Sequence, residues 1–455
     1  MKSASDANCP DGRDKLLRIL GVTFGIAVTI GGMIGLGILR TPGTVAAQLD
    51  SPLLIMVAWT LGAIYALSGV FSAAELGVSL PRTGGWYVYA RRAFGEYPGF
   101  AVGWMDWIAY PATLALVSIA IGEYAASLFP PLAPYVSVTA VVTLLVLGSI
   151  NWLGLKAGSS FQEIISFLKA AVFIVIVAAA FLVGEPAGGE IASTNLLQTP
   201  TGLFAAIIIS LQAVIFAYDG WYTAIYFSEE STNPARTIPR SMIWSVLLVA
   251  AIYLSVNAAL LYALPISELA SSTLPVADVA GKIFGVYGDK VVTSLALITL
   301  LSLLNANLLT GPRIMYAISR DGLFTQKAAK VNDGGTPSVA LWITVLAAIP
   351  VILTGTFEML LAVTAFLFIV LYVSGFLAVI VLRKKEPDLP RPYRAFGYPW
   401  TTGVVLLGSF AFLIGAVVTD TRNSLYAIGV MLLSYPFYVL LRRLNHVSQK
   451  SVESS

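Results

Sequence analysis

Hydrophobic positions in this chain fall into long runs and do not alternate with polar positions. Twelve runs of about 20 apolar residues follow one another, bounded by proline, glycine or charged residues. A helix of that length crosses the hydrocarbon core of a bilayer. The pattern therefore predicts an all-α polytopic membrane protein with twelve transmembrane helices, approximately at 17–46, 52–80, 98–128, 134–154, 161–183, 201–229, 241–264, 288–317, 338–355, 358–382, 400–419 and 424–441.

The composition supports this class and excludes several others. Of the 455 residues, 57% are hydrophobic and only 11% are charged, against about 25% charged in soluble domains. A water-soluble fold cannot bury so much apolar surface, and a disordered chain would be far more polar. The single cysteine, Cys9, and the single histidine, His446, exclude an internal disulfide, a Cys/His zinc site and a haem with two histidine ligands.

The distribution of basic residues predicts the orientation. With the amino terminus inside, 22 lysines and arginines lie in inside segments, four lie outside, and Lys169 falls within a span. Because basic residues concentrate on the cytoplasmic side, we predict a multi-pass protein of the plasma (inner) membrane with both termini cytoplasmic. The polar segment 1–15 has no apolar run, so we expect no cleavable secretory signal before the first helix.

Helix-breaking residues interrupt the first and sixth runs near mid-membrane. The seven residues from Gly31 to Gly37 include four glycines, and Asp219 precedes Gly220 in the sixth run. Each interior glycine costs a helix up to about 1 kcal/mol, and unwound backbone is tolerated in a membrane only where it is buried in protein or lines a cavity. Breaks five helices apart indicate two inverted repeats, as in many secondary transporters. Alternatively, the glycines are close-packing positions between helices.

This plan divides the chain into five segments. They are a cytoplasmic tail at 1–15, a first repeat at 16–183, a second repeat at 200–382, a loop with the last two helices at 383–441, and a cytoplasmic tail at 442–455. Half-helix amino termini offer N–H groups to an anion, and half-helix carboxyl termini offer carbonyls to a cation. Such a site suits the zwitterion of an α-amino acid.

Several motifs together resemble the amino acid–polyamine–organocation superfamily. They are GLGIL at 35–39, AELG at 74–77, PRTGGWYVY at 81–89, FAYDGW at 216–221, SEESTNP at 228–234, IPR at 238–240, RIMYAISRDGL at 313–323 and RPYR at 391–394. The resemblance implies a leucine-transporter-like fold of ten core helices in two inverted repeats. Helices 1 and 6 are discontinuous in that fold, and two helices are appended at the carboxyl terminus. It also implies transport of amino acids or related amines by alternating access.

The resemblance assigns substrate contacts to the two breaks. The backbone N–H groups of Leu36 and Gly37 would hold the substrate carboxylate, with Gly35 allowing close approach. The carbonyls of four residues would hold the amino group: Met33, Phe216, Ala217 and Asp219. Leu36 departs from the family, which has Ser or Thr there, so a hydroxyl donor is missing. The missing donor keeps an amine without a carboxylate open as a substrate.

Aromatic and acidic side chains beside the second break are further candidates. Tyr218, Trp221 and Tyr222 are pocket or gate aromatics by position, and Trp221 is the preferred gate, although ordinary packing is an alternative for each. Asp219 could bind a substrate amine, carry a proton, or cap the broken helix. Glu75, near the inner end of the second run, is expected to contact the loop at 82–85.

Lys169 is the basic residue predicted to lie within the membrane. It lies about eight residues into the fifth run, or roughly 12 Å into a core of about 30 Å. By resemblance to proton-coupled family members, its ammonium would occupy the place of sodium and donate to carbonyls of the first helix. Burial favours loss of its proton, so we assign Lys169 to coupling. The alternatives are a snorkelling side chain and a static structural charge.

These features predict a secondary transporter of neutral L-amino acids that is proton-coupled and sodium-independent. The alternatives left open are an obligatory amino acid exchanger and a carrier of polyamines or cationic amino acids. A channel fits two broken helices poorly, and a membrane enzyme, for which only a dyad of Ser166 and Lys169 is available, is remote. No ATP-binding loop is present. We expect an amino acid or amine, the proton and the lipid bilayer as partners, with no cofactor, metal or nucleic acid. We also expect no disulfide-linked heavy chain, because Cys9 lies in the inner tail.

Overall fold

The structure, a computed structural model, describes residues 16–35, 37–186, 200–354 and 357–453. Within these ranges the chain is helical apart from turns and one isolated bridge between Leu20 and Ser231. The α-helices are α1 (Val22–Met33), α2 (Gly37–Leu49), α3 (Pro52–Ser79), α4 (Trp86–Phe94), α5 (Glu96–Leu128), α6 (Val136–Leu153), α7 (Leu155–Val183), α8 (Pro200–Ala217), α9 (Pro234–Ala263), α10 (Ile266–Ser271), α11 (Pro275–Phe284), α12 (Gly288–Arg320), α13 (Ser338–Thr354), α14 (Phe357–Lys385), α15 (Trp400–Thr419) and α16 (Thr421–Glu453).

Twelve helical segments correspond to the twelve apolar runs. In the described ranges, nine helices are long and apolar enough to cross a membrane by themselves, and α1 with α2 forms a tenth span bent by 46°. The shorter apolar helices Ala205–Ala217 and Ser338–Thr354 account for the sixth and ninth runs. The prediction of an all-α polytopic membrane protein is confirmed.

The fifth run begins earlier than predicted. Its helix α7 starts at Leu155, directly after Gly154, whose φ of 146° ends the preceding helix. Lys169 is therefore 14 residues into α7, or about 21 Å along its axis. This position is near the middle of the helix and deeper than the sequence suggested.

Three short helices were not predicted because a search for 20-residue apolar runs misses them. One is α4, which follows the second span and is bounded by Gly85 and Gly95, with φ values of 50° and 102°. Left-handed backbone of this kind favours glycine. The others, α10 and α11, lie between the seventh and eighth spans.

We call the end of the bundle at which α1 begins the amino-terminal face, and the other end the opposite face. At the amino-terminal face, Leu20 exchanges backbone hydrogen bonds with the segment after α8, donating to Glu230 at 3.0 Å and accepting from Thr232 at 3.0 Å. The Leu155 N–H donates to the Gly334 carbonyl at 2.8 Å, which joins the loops before α7 and α13. These contacts link segments from both halves of the chain at one face.

Candidate functional site

The first helix break lies between α1 and α2. Regular helix ends at Met33, and Ile34 is extended, with φ −78° and ψ 96°. A helix end leaves carbonyl groups without intrahelical partners. Leu36, to which we assigned a carboxylate contact, lies outside the described residues.

The second break follows α8, which ends at Ala217. Gly220 has a φ of 95°, and a 3₁₀ turn, Thr223–Phe227, continues toward the amino-terminal face. A side chain at that φ would strain the backbone, so glycine is required at position 220. The Asp219-Gly220 pair therefore marks a true interruption of the helix, as predicted.

The two breaks touch each other through backbone atoms. A Cβ added to Gly220 would lie 2.6 Å from the Gly32 carbonyl carbon, and a Cβ added to Gly37 would lie 2.9 Å from the Ala217 Cα. Gly31 has a different function, since a Cβ there would overlap the Gln162 side chain of α7. The two alternatives for the glycines of the first break therefore apply to different residues. Gly32 and Gly37 lie where the two breaks meet, and Gly31 packs closely against α7.

A cavity of about 290 Å³ lies beside the crossing of the two breaks. Six of the predicted substrate-contact residues line it: Met33, Gly35, Gly37, Phe216, Ala217 and Asp219. The lining also includes residues nearer the opposite face, among them Arg40, Leu116, Leu300 and Leu361. The cavity therefore extends from the breaks toward the opposite face.

Trp221, the preferred gate, is not among the residues that line this cavity. Its indole fills the space over Gly69, where a Cβ would lie 2.8 Å from the ring, and it stacks on Phe376 with centroids 6.2 Å apart. With Trp86, Tyr222 and Tyr372 these two rings form what we call the aromatic cluster. In this conformation the Trp221 side chain does not reach the cavity, and its contact with substrate stays a prediction. Tyr222 lines the cavity, and Tyr218 packs against Trp59.

Lys169 is completely buried and binds the end of α1. Its Nζ donates to the Gly31 carbonyl at 3.2 Å and to the Ile34 carbonyl at 2.9 Å. No described acidic residue forms a salt bridge with it. The snorkelling alternative is thereby excluded, because the side chain points to the first break and not to the membrane surface.

Two of the carbonyls predicted to hold the substrate amino group already share a donor. The Tyr253 hydroxyl of α9 lies 2.9 Å from the Met33 oxygen and 3.1 Å from the Ala217 oxygen. A carbonyl oxygen has two lone pairs, so each can accept one further hydrogen. Tyr253 thus ties the last residue of α1 to the last residue of α8.

Asp219 is held by a hydroxyl from the tenth span. The Tyr372 hydroxyl of α14 donates to its carboxylate, and Asp219 also lines the cavity. This placement keeps substrate binding, proton transfer and helix capping open for Asp219.

These breaks and this cavity lie within the part of the chain that matches a known family. A sequence model described as amino acid permease matches residues 21–437. The chain belongs to the amino acid permease family, within the amino acid–polyamine–organocation superfamily. It is 30% identical over 434 residues to the serine/threonine exchanger SteT of Bacillus subtilis, covering 94% of this chain and 98% of the relative.

Mammalian relatives match over nearly the same length. The permease is 28% identical to the mouse large neutral amino acids transporter small subunit 2, covering 98% of this chain and 88% of the relative. It is 25% identical to the mouse b(0,+)-type amino acid transporter 1, covering 93% and 88%. These relatives are transporters and not enzymes. The permease is therefore an amino acid transporter of a membrane.

The permease uses residues that the sequence did not single out. Tyr253 and Tyr372 lie in apolar runs, where tyrosine is equally typical of packing. Glu75 differs from its prediction: it pairs with Arg383 at 2.5 Å and Arg391 at 3.4 Å and accepts from the Ala395 N–H at 2.6 Å. These partners belong to α14 and the loop after it, not to the loop at 82–85.

Proposed function

We propose that the permease is a proton-coupled, sodium-independent secondary transporter of neutral L-amino acids that works by alternating access. The observation that carries the proposal is the burial of the Lys169 ammonium against two carbonyls freed by the first helix break. We further propose that it acts in the plasma membrane with both termini in the cytoplasm.

The substrate would lie across the two breaks. Its carboxylate would accept from the N–H groups of Leu36 and Gly37. Its ammonium would donate to the carbonyls of four residues: Met33, Phe216, Ala217 and Asp219. The walls beyond the breaks are mainly apolar, with Leu116 and Leu300 among them. Apolar walls favour neutral side chains, which supports neutral over cationic substrates.

Lys169 would couple protonation to the position of α1. An ammonium has three hydrogens to donate and no acceptor, and two of its contacts are to carbonyls near the break. Loss of the proton would weaken both hydrogen bonds, since charge-assisted bonds are the stronger kind. The end of α1 could then move, and a charged side chain in this place leaves no need for a sodium ion.

The test is Lys169→Ala in proteoliposomes, with Lys156→Ala as the matched control because Lys156 is an exposed lysine of the same helix. We expect a pH gradient to drive accumulation of a labelled neutral amino acid in the unmodified protein and in the control. Accumulation should fall about tenfold or more in Lys169→Ala, as removal of a coupling charge predicts. Accumulation by Lys169→Ala that still follows the pH gradient would contradict the assignment.

Obligatory exchange is the second candidate, favoured by the name of the serine/threonine exchanger that is 30% identical to this chain. An exchanger takes up labelled substrate only when unlabelled substrate is present inside. Uptake measured in empty and in preloaded vesicles, each with and without a pH gradient, separates the two. Uptake into empty vesicles that requires a pH gradient supports coupling, and uptake that requires preloading supports exchange.

We also propose two five-helix repeats, 16–183 and 200–382, followed by two further helices at 383–441, with short cytoplasmic tails at 1–15 and 442–455. Matching breaks in the first and sixth spans support this division. Cys9 is the single cysteine and lies outside the described residues, which makes it a probe of orientation. A membrane-impermeant thiol reagent should leave it unmodified in intact cells and label it after lysis. A cytoplasmic Cys9 would also leave no cysteine for a disulfide to an external heavy chain.

A further inference from the structure

Arg40 is a basic residue at the exposed end of the cavity. It lies in α2, three residues after Gly37, which places it about 4.5 Å farther along the helix axis toward the opposite face. Arg40 is exposed, and it lines the cavity. Among the described residues, Arg40 and Asp219 are the charged residues of this lining. The cavity therefore has an acidic group at the second break and a basic group at its exposed end.

Three helices that pack against α2 give Arg40 no counter-charge. Helix α8 contains no acidic residue. Glu268 of α10 pairs with Lys282 at 2.8 Å, and Asp278 of α11 accepts from the Ser272 hydroxyl. In the part of the chain that the structure describes, Arg40 forms no salt bridge. An ion pair with these helices therefore does not explain why a basic residue lies here.

The topology of the membrane does not explain Arg40 either. The sequence predicts Arg40 outside together with Lys282, Lys290 and Arg422, and predicts 22 basic residues inside. Basic residues are favoured on the cytoplasmic side and not on the outer side. An arginine that only anchors its helix to lipid headgroups would point along the bilayer surface, whereas Arg40 lines the cavity. This position indicates an interaction with the molecules that enter the cavity.

We propose that Arg40 is a specificity-determining residue that excludes amino acids with a cationic side chain and admits zwitterions. The proposal rests on the transport of neutral L-amino acids proposed above, and it names a residue that enforces this substrate class. Apolar walls disfavour any charged side chain, whereas a guanidinium disfavours cations in particular. Arg40 thus adds a selection by the sign of the charge, which the walls do not provide.

The charge of Arg40 acts on entry and on binding. A positive charge at the exposed end lowers the local concentration of cations and slows their entry. Once a substrate is bound, a second ammonium about 10 Å from the guanidinium weakens binding by a factor of about ten at the effective dielectric constant of a protein. The carboxylate of a zwitterion would lie at the start of α2, the helix that carries Arg40. A zwitterion therefore brings a group that the guanidinium attracts.

The test compares two ligands that differ in the side-chain ammonium. L-Lysine carries this group and L-norleucine does not. Thermal stabilisation of the purified protein in a nonionic detergent, titrated with each ligand, gives the two apparent affinities. The ratio of the norleucine affinity to the lysine affinity measures the discrimination against the cation. A general change in the site alters both affinities and leaves this ratio unchanged.

Three substitutions of Arg40 change its charge in steps. We expect the affinity ratio to fall about tenfold in Arg40→Gln and further in Arg40→Glu, because repulsion is first removed and then reversed. Arg40→Lys keeps the charge and should keep the ratio within about twofold. Lys282→Gln is the matched control, because it removes a basic residue of the same face that does not line the cavity. We expect the control to leave the ratio within about twofold of the unmodified protein.

Ionic strength gives a second measurement on the same samples. Raising potassium chloride from about 0.01 M to about 1 M shortens the screening length from about 30 Å to about 3 Å. The affinity ratio of the unmodified protein should then fall toward that of Arg40→Gln, whose own ratio should change little. A purely structural role of Arg40 would not produce this dependence on salt. A ratio that is equal in the unmodified protein, Arg40→Gln and Arg40→Glu overturns the proposal, and so does an equal fall in Lys282→Gln and Arg40→Gln.

The substrate class and the role of Arg40 can fail separately. If L-norleucine does not stabilise the unmodified protein, or L-lysine stabilises it equally well, the neutral class is wrong and the selection by Arg40 is wrong with it. If the unmodified protein prefers L-norleucine and every Arg40 variant keeps that preference, the neutral class stands and the role of Arg40 alone is wrong. Equilibrium binding requires neither a pH gradient nor exchange, so both results are independent of how transport is driven.

Discussion

The two faces of the permease differ in what lies between the breaks and the surface. Toward the opposite face there is a cavity with Arg40 and Thr41 in its lining. Toward the amino-terminal face there is the aromatic cluster, and beyond it are ion pairs that join different helices. Glu229, Glu230 and Asp321 are among the acids in these pairs.

The ion pairs at the amino-terminal face are graded by burial. Arg313 and Glu230 are 2% and 0% exposed and are joined by two hydrogen bonds of 2.5 and 2.8 Å. Asp321 is 12% exposed and is paired with Arg82 and Arg91. At the opposite face, Lys282 and Glu268 pair at 2.8 Å and are 47% and 43% exposed. The amino-terminal face therefore contains one fully desolvated pair beside partly exposed ones. The pair at the opposite face is hydrated, and hydrated pairs contribute little.

The largest effect should come from the buried pair. Glu230→Gln leaves the Arg313 guanidinium buried without a counter-charge, which we expect to lower the free energy of unfolding by about 3–5 kcal/mol. Thermal unfolding in detergent measures this. The double variant Arg313→Met with Glu230→Leu removes both charges and should recover most of the loss. Equal losses in the single and double variants would contradict the role given to desolvation.

A middle effect is expected at Asp321, which accepts from Arg82 and Arg91 and from the Tyr87 hydroxyl at 2.9 Å. Asp321→Asn should weaken the closed amino-terminal face by about 1–2 kcal/mol, the contribution of a partly buried charged hydrogen bond. A cysteine at the cavity position Thr113, in a Cys9→Ser background, reports the state. The ratio of molecules open to the opposite face to molecules open to the amino-terminal face, read from this labelling, should fall by about tenfold. Undiminished labelling would show that these pairs do not hold the amino-terminal face closed.

The smallest effect is expected at the opposite face. Lys282→Gln removes an exposed pair. The free energy of unfolding, and the free-energy difference between the two conformations read from Thr113→Cys labelling, should each change by less than about 0.5 kcal/mol. The same assays apply as for Asp321→Asn. A large change here would remove the contrast between the two faces.

The sequence predicts the spans and the helix breaks of this permease better than the contacts between them. Run lengths place the twelve spans because the thickness of the bilayer core sets the length of apolar sequence that a spanning helix needs. The glycines between Gly31 and Gly37, and the pair Asp219-Gly220, reveal the breaks because residues that disfavour helix are costly there. A lysine in an apolar run is conspicuous for the same reason. These signals are local in the sequence.

Contacts between distant segments leave no such signal. Tyr253 and Tyr372 bind carbonyls and a carboxylate, but in sequence they look like packing residues. Glu75 was paired with its nearest loop along the chain, whereas the fold brings Arg383 to it from 308 residues away. Trp221 shares a motif with cavity residues, yet the turn at Gly220 directs it toward Gly69. Such pairings depend on how helices pack, which residue type alone does not encode.

The meeting of Gly220 with the Gly32 backbone has a mechanical consequence. Interlocked side chains oppose sliding, because packed surfaces must separate before they can shift. Here two peptide backbones meet with no side chain between them. Such a contact lets the two broken helices rotate against each other while the distance between them stays constant.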